Sequence, residues 1–200
     1  MKTPPFAVTF DYRCPFARLA HQYVVTGLQS GADWDVHFVP LSLSQLKVER
    51  GRPDVWDVPE TDSGLLALEL SVAVRDTQPE RFLAAHEALF SFRHDQGGNL
   101  REAKALRVPL ERVGVDVDAV LDEVAGGLPR KTVKAEHEWA VNEHGAWGVP
   151  TFMVGDQAVF VRLMDPPADA DEARRAVERL VDLSAGWPAL NEFKHTRLPR

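Results

Sequence analysis

One cysteine occurs in 200 residues. That scarcity excludes a disulfide within the chain and any disulfide framework, and it fits a reducing compartment. No run approaches the roughly 18 consecutive apolar residues that span a bilayer. The start, Met1-Lys2-Thr3-Pro4-Pro5, leads directly into an apolar stretch without the long apolar run and small-residue cleavage site of a signal peptide. A cytoplasmic location is therefore expected, with no membrane partner. Basic charge is also short: the net charge is −7, and Lys and Arg are scattered apart from a mildly basic tail (Lys194, His195, Arg197, Arg200). Nucleic acid is not expected as a partner, since phosphate contacts need a clustered basic face. There is no internal repeat and no low-complexity tract. Gly97-Gly98 and Gly126-Gly127 lack the spacing of phosphate-binding loops, and there is no serine nucleophile elbow.

What remains is an ordinary globular composition, 44% hydrophobic and 26% charged, long enough for a full hydrophobic core. Phe6 to Phe10 reads as a first strand. Apolar residues then recur at helical spacing from Phe16 through Leu19, Ala20, Tyr23, Val24 and Leu28, stopped by Gly31. Trp34 to Leu43 alternates and then turns apolar, a second strand. Strand, helix and strand so close together form a βαβ unit with parallel strands. From Thr61 to about Gly145 the signals are helical. Asp62 or Ser63, Thr77, Asn99 and Asp116 stand as caps, Pro129 as an opener, and the paired glycines as stops. Strands return at Thr151 to Val154 and Ala158 to Arg162, joined by Gly155-Asp156-Gln157 as a hairpin turn. After Pro166-Pro167, Asp169 or Asp171 caps a last helix with Ala173, Ala176, Val177, Leu180 and Val181 inward. Trp187, Leu190 and Phe193 are candidate anchors for the tail. The order βαβ, helical block, ββα implies one four-stranded mixed sheet, the helical block lying over one end.

Cys14 lies between the first strand and the first helix, in Asp11-Tyr12-Arg13-Cys14-Pro15-Phe16-Ala17. Proline suits the first helical position, which puts the thiol at the helix N-terminus. The free N–H groups and the positive end of the macrodipole there favour an anion. A thiolate with lowered pKa, hence a nucleophile, is the expectation. A small buried hydrophobe is the competing role for a lone cysteine. Ala17 stands where a second cysteine would complete a dithiol.

Two motifs together, Cys14-Pro15-Phe16-Ala17 at a strand-to-helix junction and Gly148-Val149-Pro150-Thr151-Phe152 before a later strand, resemble the DsbA-like branch of the thioredoxin superfamily. The resemblance runs from Phe6 to about Leu183. It implies an α/β, thioredoxin-like fold (βαβ plus ββα) over residues 1–60 and 146–184, an all-helical insertion over 61–145, and a tail over 185–200. It also implies that Pro150 is cis and faces Cys14, and that the backbone at Val149 pairs with an extended substrate. The dithiol members carry Cys where this chain has Ala17. Kappa-class glutathione transferases and hydroxychromene-carboxylate isomerases carry Ser near the position of Cys14. The resemblance therefore points to a monothiol oxidoreductase. In it Cys14 is the catalytic nucleophile, and Pro15, Phe16, Trp147, Val149, Pro150 and Thr151 form the substrate-binding edge. No tightly bound cofactor is expected. Glutathione or mycothiol would be the co-substrate, and a small-molecule or peptide disulfide the partner, with a homodimer left open. A thiol-cofactor-dependent isomerase or transferase acting on a small hydrophobic molecule is one alternative; a non-catalytic binding module is the other.

Several residues have two roles open. Arg13 and Arg18, beside and one turn after Cys14, either stabilise the thiolate or lie solvated on the surface. Trp147 either stacks on substrate or packs on the helical block. His21 lies about 10 Å along the helix from Cys14, which excludes a direct base and suggests a packed helix residue. His137 and His144 are two turns apart, as no single-helix zinc pair is, so no metal site is expected.

Overall fold

Five consecutive apolar or β-branched residues, Phe6–Phe10, form strand β1, and every one of them is buried. Such a run suits a strand covered on both faces. The computed structural model describes residues 2–190, 192, 194 and 195. After β1 come helix α1 (Pro15–Gln29) and strand β2 (Val36–Pro40). The two strands are parallel, with Phe6 opposite Val36 and Phe10 opposite Pro40. Strand β3 (Thr151–Val154) pairs antiparallel with β1, Val8 opposite Phe152. Strand β4 (Gln157–Phe160) closes the hairpin with Phe160 opposite Thr151. The order is β2-β1-β3-β4, so β1 and β3 are central and carry the site motifs at their ends. The mixed four-stranded sheet matches the sequence-based expectation, although β4 ends before Val161 and Arg162.

The helical insertion supplies α2 (Leu65–Thr77), α3 (Pro79–His94), α4 (Ala103–Arg112), α5 (Val117–Gly126) and α6 (Leu128–Asn142). Helix α6 lies against β2, and α3 touches α1. Helix α7 (Ala170–Gly186) turns Ala173, Val177 and Val181 inward at four-residue spacing and packs on α1, β3 and β4. Each buried valine there stabilises by roughly 1.5–3 kcal/mol over exposure. Gly27 of α1 permits a close approach: a Cβ at this position would lie 2.2 Å from the Trp34 ring. That ring meets Phe6 edge-on at 6.2 Å.

The caps differ in part from expectation. Asp116 and Asp169 each accept an N–H three residues on, from Ala119 and Glu172. Neither Asp62 nor Ser63 caps α2. Gly64 precedes that helix, and Asp62 instead accepts from the Ser42 hydroxyl and the Gly64 N–H. Thr77 ends α2 with its hydroxyl on Ala73 O, leaving Gln78 before α3. Asn99 binds Glu102 and the Arg101 N–H, and α4 starts only at Ala103. These departures share a cause: each side chain found a nearer tertiary or turn partner than the helix N–H groups. Trp187, read as an anchor, is 60% exposed. Phe193, Arg197 and Arg200 lie outside the described residues. Among the described residues no helix is long and apolar enough to cross a membrane.

A hydrogen-bonded chain of polar groups runs through the core between insertion and sheet. The Tyr12 hydroxyl lies 2.6 Å from Ser71 Oγ and 2.8 Å from His86 Nδ1. His86 in turn meets His21, whose Nε2 reaches Thr9 O at 3.1 Å. His21 is thus a packed core residue. Phe10 covers this chain, its ring edge-to-face on Tyr12, His21 and His86.

Candidate active site

Cys14 is the N-cap of α1, extended at φ −90° and ψ 118°, with Pro15 as the first helical residue. Its Sγ accepts the Ala17 N–H at 3.5 Å and donates to Val149 O at 3.4 Å. The loop before α1 is held from within: Cys14 N donates to Asp11 O at 3.0 Å. Thus the sulfur sits between a helix start and the Val149–Pro150 bond, which is cis. Val149 and Thr151 are buried, while Pro15 is exposed and Cys14 and Phe16 are half-buried.

The Val149 loop is tied to the central strand. Thr9 Oγ1 donates to Gly148 O at 3.3 Å and accepts the Thr151 N–H at 2.8 Å. Thr151 Oγ1 donates to Gly148 O at 2.8 Å. Pro150 O accepts the Val161 N–H at 3.1 Å, so the chain beyond β4 follows the same loop.

Electrostatics correct one expectation. Burial pushes the Cys14 thiol up, and although the Ala17 and Phe16 N–H groups pull it down, the Asp11 carboxylate adds to the rise. Desolvation outweighs the helix terminus here. The arginines do not counter it. Arg13 lies folded onto Asp11 and Asp62 and donates to Ser44 and Ser63. Arg18 holds Asp95 with two hydrogen bonds of 2.7 Å. Neither guanidinium serves the thiolate: Arg13 is a tie between loops and Arg18 an ion pair between α1 and the end of α3.

Trp147 is 69% exposed and packs against Phe160, with ring centroids 4.4 Å apart and the planes tilted by 34°. It packs on the sheet hairpin rather than on the helical insertion. Phe160 and Arg162 were not singled out from sequence. The only signal was their alternation with Val159 and Val161 in the strand expected from Ala158 to Arg162. A groove of about 470 Å³ separates α1 from α3, lined by Arg18, His21, Gln22, His86 and Phe90 among others; Cys14 is not in its wall.

The family model of a DSBA-like thioredoxin domain matches residues 7–167. Among solved structures, the chain is similar to Proteus mirabilis ScsC in a compact conformation. The TM-score is 0.60 at 16% identity, over 92% of this chain and 84% of that one. It is also similar to Pseudomonas aeruginosa DsbA, with TM-score 0.59 at 18% identity over 95% and 88%. The thiol-disulfide exchange protein alpha-DsbA2 from Wolbachia pipientis gives 0.58 at 16% identity over 88% and 79%. At such identities these likenesses speak for the fold. No curated protein matches the sequence.

Proposed function

We propose that this chain, which belongs to the DSBA-like thioredoxin domain family, is a thiol-dependent oxidoreductase that works through Cys14 alone. One observation carries the reading: the Cys14 sulfur lies 3.4 Å from Val149 O beside Pro150, and Ala17, three residues on, faces it with an N–H rather than a thiol. In the reaction the Cys14 thiolate attacks one sulfur of a substrate disulfide. A new S–S bond forms to Cys14 as the substrate's S–S bond breaks, and the departing thiolate takes up the equivalent of the proton Cys14 lost. A low-molecular-weight thiol, glutathione or mycothiol, then attacks the mixed disulfide and restores Cys14. Val149 and Pro150 present the substrate backbone, with Pro15, Phe16 and Trp147 along its path.

The raised thiol pKa suits one direction of exchange. A more basic thiolate is intrinsically more nucleophilic and a poorer leaving group. Cys14 is therefore a poorer leaving group than a low-pKa thiolate, which weighs against disulfide donation. The single cysteine supports a reducing, cytoplasmic setting.

The strip of Phe16, Phe160 and Trp147 favours a second reading, an isomerase or transferase that holds a thiol cofactor and a small hydrophobic substrate without a covalent step. Intact-mass analysis after exposure to glutathione disulfide tests the two. The oxidoreductase reading expects one adduct per chain, lost in Cys14→Ser and reversed by excess thiol. Cofactor binding that survives Cys14→Ala favours the second reading. An unreactive Cys14 with no thiol binding leaves a non-catalytic binding module.

A further inference from the structure

We propose that Arg162 is the specificity-determining residue of this thiol site, and that the disulfide partner of Cys14 carries a carboxylate which Arg162 holds. The inference rests on the oxidoreductase reading above and names its substrate class. The Arg162 guanidinium carbon stands 5.4 Å from the Phe16 ring centroid and 5.8 Å from that of Phe160. Phe160 packs in turn against Trp147. Phe16 follows Cys14 by two residues, and Val161 N is bonded to Pro150 O. The cation is thus bracketed between the two segments that flank the sulfur.

Arg162 is exposed and makes no hydrogen bond or ion pair among the described residues. Arg13, Arg18 and Arg75 all have carboxylate partners. Two aromatic faces hold the guanidinium without using its N–H donors, because the ring quadrupoles attract the cation. The planar fork therefore stays available, and its geometry matches a carboxylate with two parallel hydrogen bonds. In a chain of net charge −7, a cation left unpaired beside the nucleophile is matched to an anion arriving with the substrate.

The short covalent path from Cys14 to Phe16 sets the reach. The anion belongs to a small cysteine-derived thiol with a carboxylate a few bonds from sulfur, as in glutathione. Mycothiol, whose sugar and inositol carry no ionised group, gives Arg162 nothing to hold.

The test compares the rates at which three probe disulfides modify Cys14, read by intact mass: anionic glutathione disulfide, neutral bis(2-hydroxyethyl) disulfide and cationic cystamine. The quantity read is the ratio of the anionic to the neutral rate. In Arg162→Gln this ratio falls about tenfold, as expected for one charge-assisted contact. Arg162→Lys keeps part of the ratio, and Arg162→Glu shifts preference to cystamine. Added salt lowers the wild-type ratio. An unchanged ratio in Arg162→Gln, with the neutral disulfide still modifying Cys14, overturns the role of Arg162 and leaves the oxidoreductase reading standing. Failure of all three disulfides to modify wild-type Cys14 overturns both.

Discussion

His86 Nε2 lies 2.9 Å from His21 Nδ1, with both rings sealed in the core. The carbonyl of Thr9 can only accept, so His21 Nε2 carries its proton and Nδ1 accepts from His86 Nε2. Burial keeps His86 neutral, so its Nδ1 accepts from Tyr12, and Tyr12, with its one proton given there, accepts from the Ser71 hydroxyl. Every group in this chain is satisfied with both histidines neutral, the state that burial favours.

Acid should therefore loosen the fold well before the carboxylates titrate. Burial lowers His21 to about 4 and holds His86 well below the ordinary 6.5, and burial likewise lowers His137 to about 4. Each of these groups binds a proton more readily in the unfolded chain. Stability is then full above about pH 6.5 and falls as pH drops toward 4. Between pH 7 and 5 the loss comes to about 2 kcal/mol for each such histidine. Urea denaturation at the two pH values measures it. Identical midpoints would mean that these rings are not neutral and buried together.

Arg13→Ala should cost about 3–5 kcal/mol, because it strips the cation from two carboxylates that are themselves out of solvent, Asp11 and Asp62. Arg13→Lys should recover only part, since one ammonium cannot span both carboxylates and the Ser44 and Ser63 hydroxyls as the fork does. Equilibrium unfolding separates these. A loss under about 1 kcal/mol, the range of an exposed pair, would show that water replaces the guanidinium.

Why the sequence revealed the sheet but not this tie is a matter of range. Phe6–Phe10, the α1 stripe and the Gly155 turn are local patterns, and local patterns decide strands and helices. The Cys14 and Pro150 motifs could be paired because the resemblance brought together segments that periodicity treats separately. Arg13 looked like a helper of the thiolate because its neighbour in sequence is Cys14; only the folded chain places Asp62 and Ser44 around it. The thiol's electrostatics misled for the same reason. The helix-start effect is visible in Cys14-Pro15, whereas burial of the sulfur is contributed by the Val149 segment, far away in the chain. Phe160 and Arg162 were legible only as a strand, since nothing local says which side of β4 lies beside Pro150.

Cys14 should titrate above free cysteine, as its burial dictates. The rate of alkylation against pH, run beside a free cysteine standard and with Cys14→Ser as blank, gives the midpoint. A midpoint below the standard would restore the N–H groups of Ala17 and Phe16 as the dominant influence.

Ala17→Cys should convert the site to a dithiol. Positions three apart in a helical turn have Cα atoms about 5 Å apart by the helix rise and radius, and the disulfide needs Cα atoms within about 4.4–6.8 Å. The Ala17 N–H already touches the Cys14 sulfur at 3.5 Å. After mild oxidation the variant should show no free thiol and, once reduced, should gain insulin-reducing activity. Two free thiols after oxidation would place the pair out of reach of each other.

An amide rather than a second sulfur beside Cys14 also changes what the molecule can register about its surroundings. A dithiol that closes on itself expels two small thiols per disulfide consumed, so its oxidised-to-reduced ratio follows the disulfide concentration over the square of that of the thiol. This chain can store oxidation only as an adduct, expelling one thiol for each disulfide consumed. Its occupancy then follows the simple ratio of disulfide to thiol and is indifferent to dilution of the whole pool.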